Sequence, residues 1–369
     1  MKLPCLDIII PHYKEKPEEI RHLLDSIEMQ VGIDLSKAIR VTIVNDKNDE
    51  ALKKLLDYVQ NAHYNFPINL LQNKENSGAG IARQNGFLNT ELPYVMFCDA
   101  DDELYAADSL MKIINYVNLL EVQGKKWSYV WGDFYEEQKL DDKSYNLLIH
   151  NTPSMIWMHG KIFNRKFIQE HNIKFHPWLR TFEDTYFGKC VGLSAPKNCI
   201  YHCPEIIYLW KRNPNSVTSN WTKDERSYLY WRNEDYRECT YEVLDFIYPH
   251  RTESGRWNEL LFVSIYFTYF ILQSSDFDRK DADAEAVCDE MEKLFVKMVQ
   301  DFGDTIKDVS MKEKARWYNL TRIDVCNRFN FLIEKTPWND FLKYIDNKYN
   351  VNTYNLLCIE WINIMKCSV

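Results

Sequence analysis

The sequence predicts an α/β fold: a mixed, mainly parallel sheet flanked by helices, followed by an α-helical C-terminal domain. Three observations predict it. Apolar, β-branched runs recur at 6–10, 40–44, 68–71 and 94–98, as in strands buried on both faces. Segments with apolar residues at three- and four-residue spacing separate them. Beyond about residue 220, long helical stretches replace this alternation. Alternating strands and helices imply a parallel sheet, whose ligands bind beyond the carboxyl ends of the strands.

Taken in order, Leu6-Asp-Ile-Ile-Ile10 is a strand stopped by Pro11. Pro17-Glu-Glu opens a helix with proline and acids in its first turn, and Ile20, Leu23, Leu24, Ile27 and Val31 form its apolar stripe. The strand at 40–44 ends in Asn45-Asp46, a helix carries Leu52, Leu55, Leu56 and Val59, and 68–71 is the third strand. A helix over about 80–89 precedes Tyr94-Val-Met-Phe-Cys98. A helix near 108–121 and a strand at 127–131 follow, then a polar stretch to Tyr145. Short strands are expected around Ile156, Phe163 and 206–209. In the C-terminal part, Val287, Met291, Leu294, Phe295, Met298 and Phe302 make one stripe, and Thr336-Pro337 supplies an N-cap and first-turn proline.

A length of 369 residues suits two domains. The Asn213-Pro-Asn-Ser216 loop places their boundary near 215–225, giving 1–220 and 221–369. The formal charge of −9 argues against global capture by nucleic acid or an anionic membrane. The C-terminal part, with 20 basic and 26 acidic residues, offers no polycationic tail. The longest apolar run, 260–272, falls short of the roughly 20 residues that span a bilayer. The N-terminus has no secretory cleavage pattern, so a cytoplasmic location and reduced thiols are expected for the ten scattered cysteines. Cys199, His202 and Cys203 invite a zinc reading, but no second pair follows at finger spacing and a core role is preferred.

The chemistry concentrates at Asp99-Ala100-Asp101-Asp102, where a buried strand discharges into three carboxylates. Carboxylates at i and i+2 can address a divalent cation, the species that neutralises a diphosphate. Asp281-Ala-Asp283 has the same letters but opens a helix, where acids simply suit the N-terminus. Asp46 stands where a carboxylate reads a base or ribose. Asn76-Ser77-Gly78-Ala-Gly80 feeds a helix that carries Arg83, a loop suited to close backbone approach to a ligand or to a tight turn. Its spacing is that of neither a Rossmann nor a phosphate-binding loop. Glu183-Asp184 reads by itself as an acid pair opening a helix, with Thr181 as cap.

Six segments occur together in order: Asp7-Ile-Ile-Ile-Pro-His-Tyr13, Val44-Asn-Asp46, Asn76-Ser-Gly-Ala-Gly-Ile-Ala-Arg83, Phe97-Cys-Asp-Ala-Asp-Asp102, His159-Gly-Lys-Ile-Phe-Asn-Arg165 and Phe182-Glu-Asp-Thr-Tyr-Phe187. Over about the first 220 residues the chain resembles the family 2 glycosyltransferases of the GT-A fold, of bacterial or bacteriophage type. That resemblance implies that Pro11, His12, Tyr13, Asp46, Ser77, Gly78, Arg83, Asp99 and Ala100 line a nucleotide sugar. It implies Asp101 as direct metal ligand with Asp99 beside it, Mn²⁺ or Mg²⁺ as the cofactor, and Asp184 as general base next to Glu183. His159 and Lys161 are expected at the diphosphate or the metal, and Arg212 at the diphosphate, where Arg212 can clamp oxygens bidentately and Lys211 acts as a point charge. Asn45 and Lys47 depart from the Asp and Gly that many relatives carry there.

The expected activity is inverting, metal-dependent transfer from a nucleotide-diphosphate sugar, UDP by resemblance, to a surface polysaccharide or teichoic-acid-type glycan. The helical domain would bind acceptor or form a homo-oligomer. One alternative acceptor is hydroxymethylated DNA in a phage-infected host cytoplasm, for which Trp221, Tyr228, Tyr230, Trp231, Arg232 and Arg237 interleave aromatics with cations, interrupted by acids. The other alternative is a non-catalytic sugar-nucleotide-binding module. A nucleotidyltransferase is disfavoured because Pro11-His-Tyr-Lys-Glu15 contains no glycine.

Overall fold

A computed structural model of the chain describes residues 6–139, 144–213, 233–273, 282–329 and 336–360. The chain divides into two compact units, 1–220 and 221–369.

The first unit is built on a sheet that runs β3-β2-β1-β4-β8-β6-β9-β5, with β7 paired to the outer part of β6. Strands β1 (Leu6–His12), β2 (Ile39–Asn45), β3 (Ile68–Gln72) and β4 (Tyr94–Phe97) are mutually parallel. Leu6, Ile8, Ile9 and Ile10 are all fully buried, because helices cover both faces of β1. Helices α1 (Pro17–Glu28), α2 (Leu35–Ala38), α3 (Asp49–Asn61) and α4 (Ala79–Leu88) connect these strands. Pro17 opens α1, and the Glu19 carboxylate accepts from the Lys16 backbone N–H at 2.7 Å.

The sheet turns mixed after β4. Short β5 (Glu103–Leu104) leads into α5 (Ser109–Val122), and β6 (Tyr129–Lys139) runs parallel to β9 (Ile200–Trp210). In the sheet β8 (Lys161–Asn164) lies between β4 and β6 and is antiparallel to both. This reversal brings the residues just before β8 to the edge where β1, β2 and β4 end. Helices α6 (Arg165–Glu170) and α7 (Glu183–Ser194) complete the unit.

Three local expectations are corrected. The polar stretch after residue 131 continues as strand, because backbone pairing with β9 up to Glu136 and with β7 (Tyr145–His150) from Phe134 onward holds it without an apolar run. The residues around Ile156 form no strand; the carbonyls of Ser154 and Trp157 instead bind the Lys161 ammonium. Thr181 does not cap α7: Phe182 is the N-cap residue, without a side-chain cap.

Buried Asp7 and Arg165 explain two motif letters without chemistry. Arg165 donates to Asp7 Oδ2 at 2.9 Å, to Thr90 Oγ1 at 2.7 Å and to the carbonyls of Phe87 and Leu92. The pair thus ties β1 to the end of α4 and to α6.

The second unit comprises helices α8 (Glu234–Ile247), α9 (Arg251–Ser254), α10 (Trp257–Leu272), α11 (Ala282–Lys307), α12 (Met311–Phe329), α13 (Trp338–Tyr349) and α14 (Thr353–Leu357) among the described residues. Met291, Leu294, Phe295, Met298 and Phe302 of α11 are buried as one stripe. Trp338 meets Tyr266, Tyr269 and Phe295 edge-on, with centroids 4.8–6.0 Å apart. Pro337 itself is the N-cap of α13, so Thr336 lies outside the helix. No helix of the described residues is long and apolar enough to cross a membrane. Of the aromatic and basic residues of the DNA alternative, only Arg237 is described; 221–232 lie outside the described residues.

Candidate active site

A cavity of about 850 Å³ opens beyond the ends of β1, β2 and β4. It is lined by Pro11, His12, Tyr13, Asp46, Gly78, Arg83, Asp99, Ala100 and Asp101, joined by residues 14–16, Glu19, Ala79 and Asn213.

His12 is buried and shapes the loop after β1. Asn45 donates to its Nδ1 at 3.1 Å, and Nε2 lies 3.1 Å from the Glu15 carbonyl. That pattern makes Nε2 the protonated nitrogen of a neutral ring, and burial lowers its pKa. Lys47 adopts a left-handed backbone with φ 57°, the conformation glycine takes most easily, and its ammonium pairs with Asp49 at 2.8 Å.

Asp46, at the cavity wall, also orders the neighbouring loop. Its Oδ1 accepts from Ser77 N–H at 3.0 Å and Asn73 Nδ2 at 2.7 Å, and its Oδ2 from Gly78 N–H at 2.7 Å. The carboxylate therefore holds the glycine loop in place. Gly78, with φ 92°, is the N-cap of α4. Asp46→Asn replaces an acceptor by an amide N–H facing a loop N–H. We expect it to lower stability by about 1–3 kcal/mol in urea unfolding.

Arg83 is the hub. It is 5% exposed, and its Nη1 donates to Glu183 Oε1 at 2.8 Å while Nη2 donates to Asp99 Oδ1 at 2.6 Å. Against the upward push of burial, Arg83 and His159 hold the Asp99 carboxyl well below the usual carboxylate range. Close packing of α4 on α7 permits this bridge: a Cβ at Gly80 would stand 2.8 Å from Glu183 Cγ.

Asp101 and Asp102 part ways. The Asp101 Oδ2 accepts from Asn213 at 2.7 Å, and burial with the Asp99 charge pushes its pKa up to about 6. Asp102 is 1% exposed and accepts from Tyr208 OH at 2.8 Å and Lys211 N–H at 2.8 Å. Burial, then Asp99 and Asp101, push its pKa well up. Tyr208 in turn accepts from Asp99 N–H at 3.0 Å. His159 Nε2 lies 3.7 Å from Asp99 Oδ2 and 3.9 Å from Asp102 Oδ2, its ring stacked on Tyr208.

Asp99, Asp102 and His159 each place one ligand atom within 4.8 Å of the others. Two carboxylates and an imidazole suit a divalent cation that accepts oxygen and nitrogen, and its charge would offset the burial of Asp102. Asp101 is outside this trio and faces the cavity.

Asp184 follows Phe182, whose left-handed φ of 61° is costly for an aromatic residue. Asp184 Oδ1 accepts from Thr185 N–H at 2.6 Å; burial, and next the Glu183 charge, push its pKa up to about 7. Lys161 is buried 4% exposed, with its ammonium on the Ser154 carbonyl at 2.6 Å and on that of Trp157, and burial pushes its pKa down to about 7. Arg212 N–H donates to Glu137 at 3.1 Å, and Lys211 pairs with Glu103 at 2.6 Å. Neither Lys161 nor Arg212 is among the residues lining the cavity. Sequence reasoning did not single out Tyr208 or Asn213, because one reads as an apolar strand residue and the other as a loop residue.

Of the Cys199, His202 and Cys203 group only Cys203 is buried; His202 is half-exposed and its Nε2 bonds Asp133 at 2.7 Å, and the described cysteines are free thiols.

Residues 7–171 match the family described as Glycosyl transferase family 2. Glycosyltransferase GlyA of Streptococcus pneumoniae is 24% identical over 235 residues, 59% of this chain and 32% of the relative. A teichoic acid poly(glycerol phosphate) polymerase of Staphylococcus epidermidis is 29% identical over 187 residues, 49% of this chain and 25% of the relative. The chain thus spans a third or less of these curated relatives. Crystal structures of S. aureus TarS 1-349 superpose with a TM-score of 0.58. The first, at 15% identity, covers 89% of this chain and 92% of that one. The second, in complex with UDP-GlcNAc, is 14% identical over 94% and 91%. At these identities the likeness is one of fold, the GT-A fold with a helical C-terminal part.

Proposed function

We propose, on the premise that residues 7–171 form a family 2 glycosyltransferase domain, that this chain is an inverting glycosyltransferase. It takes a sugar from a UDP-sugar in the cytoplasm and passes it to a hydroxyl of a surface polysaccharide or teichoic-acid-type glycan. The observation that carries this reading is Arg83, which joins Asp99 of the strand-end carboxylates to Glu183 of the acid pair beside one cavity.

In this reading the nucleotide sits among Pro11, His12, Tyr13 and the loop that Asp46 orders, with Ala100 and Asp101 toward the sugar. A divalent cation, when bound by Asp99, Asp102 and His159, supplies charge neutralisation for the leaving diphosphate. Asp184 takes the proton of the acceptor hydroxyl. The hydroxyl oxygen bonds the anomeric carbon as the bond to the diphosphate oxygen breaks, and that electron pair leaves with UDP. A single displacement inverts the centre. A UDP-GlcNAc complex of a fold neighbour and a teichoic acid polymerase among the relatives lend support.

Hydrolysis of UDP-, GDP- and TDP-sugars, with and without chelator, tests the reading. UDP-sugar turnover is expected to fall at least about tenfold with chelator, and Asp102→Ala to weaken Mn²⁺ binding measured by electron paramagnetic resonance. Chelator-independent turnover removes the metal, and absence of UDP binding removes the donor.

A further inference from the structure

Strand β9 brings one side chain against every member of the carboxylate–imidazole cluster. It pairs antiparallel with β5, Leu209 opposite Glu103 and Tyr208 opposite Leu104. Tyr208 therefore falls beside the turn from Asp99 to Asp102, which the Asp102 N–H closes on the Asp99 carbonyl at 3.2 Å. Tyr208 is fully buried. Its hydroxyl donates to Asp102 Oδ2 at 2.8 Å and accepts from the Asp99 N–H at 3.0 Å. An amide can only donate and an ionised carboxylate can only accept, so the hydroxyl proton lies toward Asp102. The tyrosine ring stacks on that of His159, with centroids 5.1 Å apart and planes 16° apart. Phe134, edge-on at 5.2 Å, and Trp210, at 4.9 Å, also border the imidazole and hold its plane.

The other oxygen of Asp102, Oδ1, accepts from the Lys211 N–H at 2.8 Å. One donor on each oxygen fixes the plane of the carboxylate and leaves each oxygen a further lone pair. Oδ2, the oxygen that Tyr208 holds, is the one 3.9 Å from His159 Nε2, and Asp99 Oδ2 stands 3.7 Å from the same nitrogen. We propose that Tyr208 is the positioning residue of the cation site: one buried tyrosine sets the Asp99 backbone, the Asp102 carboxylate and the His159 ring in the arrangement that takes up a divalent cation. This rests on the reading of Asp99, Asp102 and His159 as the ligands. Tyr208 acts through these three groups and is not itself a ligand, since Asp102 engages its proton and the Asp99 amide its oxygen. Ligands already held in place need little reordering when the ion arrives, which is why partners behind a ligand shell raise metal affinity.

The test is Mn²⁺ titration by electron paramagnetic resonance on the full chain, unaltered and as Tyr208→Phe, Tyr208→Leu and Asp102→Ala. Tyr208→Phe keeps the ring on His159 and removes only the hydroxyl. It should weaken Mn²⁺ binding about tenfold, and Tyr208→Leu, which removes the ring as well, about a hundredfold, with circular dichroism unchanged. If Tyr208→Leu does not fold, Tyr208→Phe alone decides. Urea unfolding separates positioning from packing. Added Mn²⁺ should raise the midpoint of the unaltered protein more than that of Tyr208→Phe, because a ligand stabilises the folded state according to its affinity. Equal Mn²⁺ affinity in the unaltered and Tyr208→Phe proteins, or an equal rise in their midpoints, overturns the proposal and leaves Tyr208 a packing residue. Failure of the metal reading looks different: the unaltered chain takes up no Mn²⁺, or Asp102→Ala binds it equally well, and this proposal then falls with that reading.

Discussion

Replacing Asp184 by Asn is expected to lower sugar transfer about 10²–10⁴-fold while leaving UDP affinity within a few-fold. The amide keeps the shape of the side chain and its place at the start of α7 but cannot take a proton. Stopped assays of UDP release beside calorimetric UDP binding separate these two effects; a variant that keeps most of its turnover removes Asp184 as base. The pH profile follows from the same residue. Burial and the Glu183 charge hold the Asp184 pKa at about 7, and the base works only ionised. Transfer should therefore rise about tenfold per unit below pH 7 and level off above it. Activity that is flat from pH 5 to 8 would assign the base elsewhere.

Arg83→Met should have the second-largest effect, and on stability as well as turnover. The guanidinium is the common partner of Glu183, whose side chain is 11% exposed, and of Asp99, which at 36% is partly screened by water. Its loss leaves the Glu183 carboxylate uncompensated, with a cost of at most about 3–5 kcal/mol, the range for removing one partner of a buried ion pair. Urea unfolding measures that loss. Arg83→Lys keeps the charge but cannot bridge two carboxylates with a planar fork, so it should recover part of the stability and little of the turnover. Because Arg83 also lowers the Asp184 pKa, the acid limb of the Arg83→Lys profile should stay nearer pH 7 than that of Arg83→Met. Should both variants unfold like the unaltered chain, the bridge contributes nothing to the fold.

These two expectations depend on different kinds of information. The strand that ends at Asp99 is legible from Tyr94-Val-Met-Phe-Cys98 alone, since a run buried on both faces has to be apolar throughout. The carboxylates after it are legible for the same local reason. What one residue sequence could not give is the division of labour among them. Asp101 alternates with Asp99, which suggests a shared cation, yet it is Asp102 that joins Asp99 beside His159, because the chain turns inward after Asp101 to bond Tyr208 and the Lys211 N–H. Asp46 is a parallel case. Its place at a strand end is readable, but its partners Asn73, Ser77 and Gly78 come from the far side of β3.

By itself, the sequence determined what short-range periodicity and local chemistry encode: parallel strands alternating with helices over the first unit, helices over the second, and polar residues gathered at the strand ends. Only the tertiary structure decided which of those polar residues meet. Arg83 and Glu183 are 100 positions apart, and no local pattern records that contact. It arises because β8 runs antiparallel and α7 packs on α4 at Gly80, so the pairing is set by sheet order and helix packing, which depend on the whole core at once.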